Sequence, residues 1–347
     1  MDLLRQIVGW VDRWQRRNRV AGSTYGVVKK FGDDHANLLV VSLAWYGFTA
    51  IFPLLLVAVT ILGYVGEKTL GSTLVSTLHE FPVIGDSFNP ASSSRLHGSV
   101  LGLTIGLLGL LYGAQGVTQT AQLAMASVWD VPELERTGFL PRLGRSFAAL
   151  ATIGSAFLIN AVLATYVTRA GESYAIRVPV LAGLVVLNAA LYWANFIVLT
   201  PKRIKPVPLV PGAIVGGVAF TLLITIGTGL LTHQLKNASS TYGAFGSVIG
   251  IVTFLLLLAK LSIYAAELNP VLHRRLYPRS LPFGDLTDAD RRVHSALIHE
   301  QRRSTEGSIT VGFEPDATKR VEGDVTNGAE PASDGDDPVG KPTGRRD

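Results

Sequence analysis

Residues 251–272, IVTFLLLLAKLSIYAAELNPVL, decide the class of fold. As a helix, an almost wholly apolar run of about 20 residues is long enough to cross the hydrocarbon core of a bilayer. Lys260 interrupts the run near its middle, and Glu267 follows seven residues later. On insertion scales a lysine at the centre of a span costs about 2.5–3.5 kcal/mol, so its surroundings must compensate for the charge.

Further apolar blocks accompany this one. The chain has 347 residues, of which 48% are hydrophobic and 16% are charged. Six blocks are long enough to span a membrane: 38–65, 98–126, 146–169, 178–200, 211–232 and 245–270. A spanning backbone must satisfy its own hydrogen bonds, and the ten-residue alternation of membrane barrels is absent. The sequence therefore predicts an all-α polytopic membrane protein with six transmembrane helices.

Basic residues near the spans predict the orientation. Sixteen Lys and Arg residues lie in segment 1–37 and in the segments after spans two, four and six, against five in the intervening loops. Because cytoplasmic segments carry the excess of Lys and Arg, we expect both termini in the cytoplasm. The net charge of +5 then reports topology, and it does not indicate a nucleic-acid-binding surface.

The chain divides into four predicted parts. Residues 1–37 form a cytoplasmic amphipathic segment, whose stretch 3–14 fits either an interfacial helix or a helix packed on the spans. Residues 38–272 form the transmembrane domain; its outer loop, 66–97, contains a short amphipathic helix that lies on the leaflet or caps the bundle. A basic segment, 273–303, carries a short helix capped by Thr287, and 304–347 has the composition of a disordered tail.

Small residues recur along one face of two spans. In span two they are Gly102, Gly106, Gly109, Gly113 and Gly116, and in span six they are Gly246 and Gly250. Glycine at such spacing lets a second helix approach closely, so we expect helix packing at both faces. The alternative for span two is a sliding surface used in a conformational change.

Polar residues inside the spans are candidates for a substrate path. Thr253, Lys260, Tyr264 and Glu267 share one face of span six with its two glycines, so we expect Lys260 to point into the bundle. The alternative is a structural lysine bonded to amides or carbonyls. Gln115 and Gln119 begin an amide stripe on span two that continues to Gln122, and Pro53 interrupts span one. The stripe is interhelical glue or a polar path, and Pro53 gives a tolerated kink or a gating element.

The sequence offers no recognisable catalytic or metal-binding pattern. It has no cysteine, which excludes disulfides and thiolate ligands. The seven histidines include no pair at the spacing of a metal-binding helix, and G-x-S-x-G and Walker A motifs are absent. We therefore expect no enzyme, no metal and no cofactor.

Three stretches carry a family resemblance. AWYGFTAIFPLLL (44–56), PKRIKPVPLVPGAIVGG (201–217) and STYGAFGSVIGIVTFLLLLAKLSIYAAELNPVL (240–272) together resemble the YihY/BrkB group of bacterial inner-membrane proteins. The matching positions are Tyr46, Pro53, Tyr242, Gly243, Phe245, Gly246, Glu267 and Asn269, which adds Tyr46 to the substrate-path candidates. Lys260 departs from the uncharged residue of that group. The older label ribonuclease BN for this group is regarded as mistaken.

The resemblance implies a multi-pass protein of the bacterial inner membrane with a role in envelope integrity. Our first hypothesis is the transport or flipping of an anionic lipid or envelope precursor, with Lys260 offering its charge to the headgroup. The alternative is a non-transporting scaffold that organises envelope machinery, and a third hypothesis is a membrane hydrolase or nuclease. The expected partners are membrane lipids and other envelope proteins, without nucleic acid.

Overall fold

The computed structural model describes residues 9, 12–65, 100–136, 138–169, 174–200, 204–281, 286–302 and 309–313, with side chains left undescribed at 55, 58–65, 156–158, 161–177 and 227–247. The chain divides into two compact units, Met1–Ile309 and Thr310–Asp347, and nearly all described residues belong to the first. Every regular element in the described ranges is helical, which confirms the predicted all-α class.

Besides helical residues at 12–17, seven helices make up the first unit as far as it is described. They are α1 (Arg19–Asp33), α2 (Ala36–Val65), α3 (Val100–Val128), α4 (Phe139–Arg169), α5 (Tyr174–Leu199), α6 (Val210–His273) and α7 (Asp288–Glu300). Short 3-10 turns at Glu133–Glu135 and Val207–Leu209 precede α4 and α6. Helix α2 packs mainly against α3, α5 packs against α4 and α6, and α1 packs across the end of α6.

Five described segments are long and apolar enough to cross a membrane. They are Ala36–Leu54, Val100–Val128, Val178–Leu199, Val207–Ile226 and Val248–His273. They correspond to five of the six predicted spans, and the remaining block, 146–169, lies within α4. The membrane class is therefore confirmed, while the count of six and the cytoplasmic position of both termini stay predictions.

Helix α6 contains two of these spans. A straight helix of 64 residues would extend about 96 Å at a rise of 1.5 Å per residue. Gly212, near its start, instead donates its backbone N–H to Asn269 Oδ1, near its end, over 2.7 Å. A Cβ at Gly212 would collide with the Ala265 carbonyl. The chain therefore reverses between Ile226 and Val248, and the two spans lie side by side.

Four of the span-two glycines, Gly106, Gly109, Gly113 and Gly116, face α2. A Cβ at Gly106, Gly109 or Gly113 would come within 2.9 Å or less of Val57, Pro53 and Ala50 respectively, and one at Gly116 would overlap the Tyr46 ring. The glycines thus meet α2 residues that also recur at steps of three and four, in the opposite chain direction. Helix α2 lies so close to these glycines that α3 has no room for a side chain of its own at these positions.

The predicted helix in the basic segment is confirmed as α7. Its cap is reciprocal, because the Thr287 hydroxyl accepts the Asp290 N–H and the Asp290 carboxylate accepts the Thr287 N–H. Other predicted segments lie wholly or largely outside the described residues: the apolar face of 3–14, the outer loop 66–97 and the tail 304–347. The side chains around Gly246 also lie outside them.

Gly113→Ala should destabilise the α2–α3 pair by about 1–3 kcal/mol, the usual cost of overpacking. The new methyl group would lie 2.8 Å from Ala50 Cβ and 2.9 Å from Ala50 Cα. Gly154→Ala on α4 is the matched control, because its methyl group would meet nothing within 4 Å. Thermal unfolding in detergent measures both variants, and equal melting temperatures would contradict the close contact.

Candidate functional site

The sequence KKFGDD, residues 29–34, spans the end of α1 and the turn before α2. Each lysine precedes an aspartate by four residues, so Lys30 and Asp34 share one side of the helix, and Lys29 and Asp33 share the adjacent side. Helix α1 begins at Arg19, where the Asn18 side chain accepts the N–H of Val20 over 3.0 Å. The two sides of α1 enter two different ion networks.

Lys30 is the centre of the first network. Its side chain is fully buried, and its Nζ lies 2.5 Å from Asp34 Oδ2, 3.3 Å from Asp130 Oδ1 and 3.5 Å from Glu267 Oε2. Asp34 precedes α2, Asp130 follows α3, and Glu267 lies in the last turns of α6. One ammonium group therefore joins the ends of four helices, counting α1 itself.

Arg274 extends this network from the residue after α6. It contacts Asp130 Oδ2 through Nη1 over 2.5 Å and donates through Nη2 to the Trp129 carbonyl over 2.8 Å. Its guanidinium also lies over the Trp129 ring, 5.6 Å from the centroid. Asp130 is thus shared by two cations, Lys30 and Arg274, whereas Asp34 and Glu267 depend on Lys30 alone among the cations of the described chain.

The electrostatics of the network follow from its burial. Burial opposes the charge of Lys30, but the carboxylates of Glu267, Asp34 and Asp130 outweigh it and raise the pKa of Lys30 above its usual range. Burial raises the pKa of Asp34, and the neighbouring Lys30 charge only partly opposes this effect. Lys30 is therefore held as a cation, and Asp34 holds a proton more readily than an exposed aspartate does.

Asp290 is the centre of the second network, on the other side of α1. Its carboxylate receives Arg279 Nε over 2.7 Å, Lys29 Nζ over 2.8 Å and the Thr287 hydroxyl over 2.7 Å. Arg279 also donates to Asp33 Oδ2 over 2.7 Å. Burial alone would raise the pKa of Asp290, but these hydrogen bonds lower it far below its usual range. The second network fixes α7 and the segment after α6 to α1.

A cavity of about 260 Å³ opens beside the first network. It is lined by Asp33, Asp34, His35, Ser127, Leu297, Glu300 and Gln301. Glu300 accepts Arg136 Nη2 over 2.9 Å. Burial raises the pKa of Glu300 to about 7, against the lowering effect of Arg136. The cavity therefore connects Asp34 with Glu300, a carboxyl group whose pKa lies near neutrality.

The predicted interior position of Lys260 is wrong. Lys260 and Thr253 are exposed on the described chain, whereas Tyr264 is half-buried and Glu267 is fully buried on the same side of α6. Helix α1 covers only the end of this side: Phe31 stacks on Tyr264 with ring centroids 4.2 Å apart, and Lys30 meets Glu267. One face of α6 therefore has two environments, because α1 covers it only near Tyr264 and Glu267 and leaves Thr253 and Lys260 exposed.

The remaining predicted path residues do not gather around Lys260. Tyr46 and Pro53 contact α3 at Gly116 and Gly109. Gln115 and Gln119 are half-buried on α3. Gln122, the last residue of the amide stripe, donates to Ser146 Oγ over 3.0 Å and to the Arg142 carbonyl over 3.2 Å. Of all the candidates, only Tyr264 and Glu267 belong to the buried site.

Sequence reasoning missed Lys30, Asp34, Asp130 and Arg274. In the sequence, Lys30 and Arg274 stand out only as two of the basic residues that indicate the topology. The available signal was the repeated Lys-to-Asp spacing of four residues in KKFGDD, which predicts helix-side ion pairs. No spacing rule connects Lys30 with Glu267, which is 237 positions further along the chain.

A family model described as Virulence factor BrkB matches residues 27–285. The chain belongs to this family. The match includes every residue of the first network and ends before α7, so Asp290 and Glu300 lie outside it.

The chain is also similar to an uncharacterized protein of Dickeya dadantii (strain 3937). The two are 22% identical over 289 residues, which cover 76% of this chain and 87% of the relative. No solved structure matches the chain.

Lys30→Met should destabilise the protein by about 3–5 kcal/mol, because it leaves buried carboxylates without their cation. Lys205→Met, at an exposed position, is the control for loss of a lysine charge. Thermal unfolding at neutral pH compares the two. Adding Glu267→Gln to Lys30→Met should recover part of the loss, and a Lys30→Met protein as stable as Lys205→Met would contradict the network.

Glu300→Gln should flatten the pH dependence of stability between about pH 5 and about pH 8. Because the pKa of Glu300 is raised to about 7, the folded protein holds this proton more tightly than the unfolded chain. Its contribution is complete below the ordinary glutamate range and disappears as the pH rises through the folded pKa. Melting temperatures across this range test the prediction, with the exposed Glu135→Gln as control; identical slopes would contradict it.

Proposed function

We propose that this protein moves an anionic lipid or envelope precursor across the bacterial inner membrane, without catalysing a chemical reaction. The proposal rests on the position of Lys260. It lies within the apolar span Val248–His273 and is exposed, and no ion pair to it is found among the described residues. An ammonium group at such a position needs a counter-ion from outside the chain, and an anionic headgroup supplies one.

The depth of Lys260 supports this assignment. Glu267 lies level with the ends of α2 and α3, where Asp34 and Asp130 meet Lys30. Lys260 is seven residues before Glu267, about 10 Å along the helix axis toward the centre of the span. Side chains of a helix lean toward its N-terminus, so the Lys260 side chain leads away from the ion networks. Reaching the water at that end would require the side chain to fold back.

The surroundings of Lys260 fit an amphipathic ligand. Thr253, Leu257 and Lys260 follow one another at helical spacing along an exposed stripe of α6. A lipid lying on this stripe would place acyl chain on Leu257 and headgroup on Lys260. The family membership adds a membrane setting, and the lipid chemistry is inferred from Lys260 alone.

Lys260→Leu should reduce the movement of labelled anionic lipid in proteoliposomes about tenfold or more, as expected when an interaction of about 1.4 kcal/mol is lost. Zwitterionic lipid should be affected less, because its headgroup carries no net charge for the ammonium group to attract. Lys260→Arg should retain most of the activity. Lys205→Met removes a lysine outside the spans and should leave the rate unchanged.

Two results would contradict the proposal in different ways. Equal rates for wild type and Lys260→Leu would remove Lys260 from the path. No lipid movement by folded wild-type protein would remove the transport function, and it would favour the scaffold alternative.

A further inference from the structure

The first network contains more acids than bases. Three carboxyl groups, those of Asp34, Asp130 and Glu267, surround Lys30, and Arg274 is the other cation in contact with them. If all three carboxyl groups were ionised, the cluster would carry one uncompensated negative charge. All three side chains are nearly or fully buried, and an unpaired charge is strongly disfavoured in such a site.

The hydrogen bonds show which of the three carboxyl groups lack a donor. Asp130 is satisfied by Lys30 and Arg274, and Asp34 Oδ2 is satisfied by Lys30. Among the carboxyl oxygens of this network, Asp34 Oδ1 and both oxygens of Glu267 have no hydrogen-bond partner in the described part of the chain. The Asp34 and Glu267 side chains are near enough to hydrogen-bond with each other. Two carboxylates cannot form that bond, because neither has a donor, but a carboxylic acid and a carboxylate can.

We propose that Asp34 and Glu267 form a proton-binding site, in which one exchangeable proton is shared between the two carboxyl groups and Lys30 neutralises the remaining charge. The proton supplies the missing donor and removes the excess charge in a single step. Loss of the proton leaves two carboxylates facing each other in a buried site with one ammonium group between them. The contact between α1, the start of α2 and the end of α6 should then loosen.

The cavity gives the proton a route to the site. Asp34 lines it, so the pair has one member at the cavity wall and the other, Glu267, fully enclosed behind it. The other charged and titratable groups that face the cavity or the pair are Lys30 on α1, Asp33 and His35 beside Asp34, Asp130 and Arg136 after α3, Arg274 after α6, and Glu300 on α7. Glu300 stands on the side of the cavity that α7 contributes. Protons can therefore pass between solvent, Glu300 and Asp34 without crossing the helix core.

Coupling of this proton to lipid movement rests on the proposed function, whereas the site itself does not. Helix α1 covers Tyr264 and Glu267 and leaves Lys260 uncovered on the same side of α6. A proton-dependent release of α1 would extend the exposed stripe from Lys260 to the end of the helix. In proteoliposomes, a pH gradient should then change the rate of anionic-lipid movement in wild type and not in Glu267→Gln.

Infrared spectroscopy of the full chain in lipid nanodiscs tests the site directly. A carboxylic acid has a C=O band that a carboxylate lacks, and this band shifts on exchange into D₂O. Glu300 titrates near neutrality and contributes a band of its own, so the measurement starts from the Glu300→Gln protein. This protein should show a protonated-carboxyl band at neutral pH.

Matched variants assign the band. Adding Glu267→Gln should abolish it, because Asp34 alone beside Lys30 is ionised, and adding Asp34→Asn should abolish it for the same reason at Glu267. Both amides keep the shape and supply a donor, so either variant that folds decides the assignment. Adding Asp288→Asn, at an exposed position on α7, should leave the band unchanged. Absence of the band in the Glu300→Gln protein, or its persistence in both test variants, would overturn the proposal whether or not lipid movement is observed.

Discussion

The burial of Lys30 is the constraint on which the rest of this end of the molecule depends. A lysine that is 0% exposed is stable only if its charge and its three N–H groups are matched. The matching carboxyl groups come from the turn before α2, the residues after α3 and the last turns of α6. These helix ends must therefore meet at one place, and the spans that lead to them are aligned as a consequence.

The helical spans could be predicted because they depend on properties that a single sequence displays. Long apolar blocks identify them, and the steps between Gly106 and Gly116 identify the side of α3 on which a backbone can approach. The spacing does not show which helix packs against this side of α3. That Pro53 and Tyr46 meet these glycines depends on how two helices far apart in sequence are placed, and their assignment to a substrate path rested on the residues alone.

The charged residues show the same limit more sharply. Periodicity correctly places Lys260, Tyr264 and Glu267 on one side of α6, but it does not tell how far α1 extends over that side. The sequence predicts that Lys260 is the buried lysine. In the structure Lys260 is exposed and Lys30 is buried. A lysine near a span end and a lysine within a span look different in sequence, and only packing decides which of them is removed from solvent.

The two ion networks differ in charge balance, and only the network around Lys30 is expected to change its contacts when a proton is gained or lost. Asp290 receives Lys29, Arg279 and several neutral donors, so its carboxylate is fully matched and its pKa is lowered. Around Lys30 the carboxyl groups outnumber the cations, and oxygens of Asp34 and Glu267 remain without donors. A matched network resists changes in protonation, whereas an unmatched one responds to them. Helix α1 carries one network on each side, so it can stay fixed to α7 while its hold on α6 changes with a single proton.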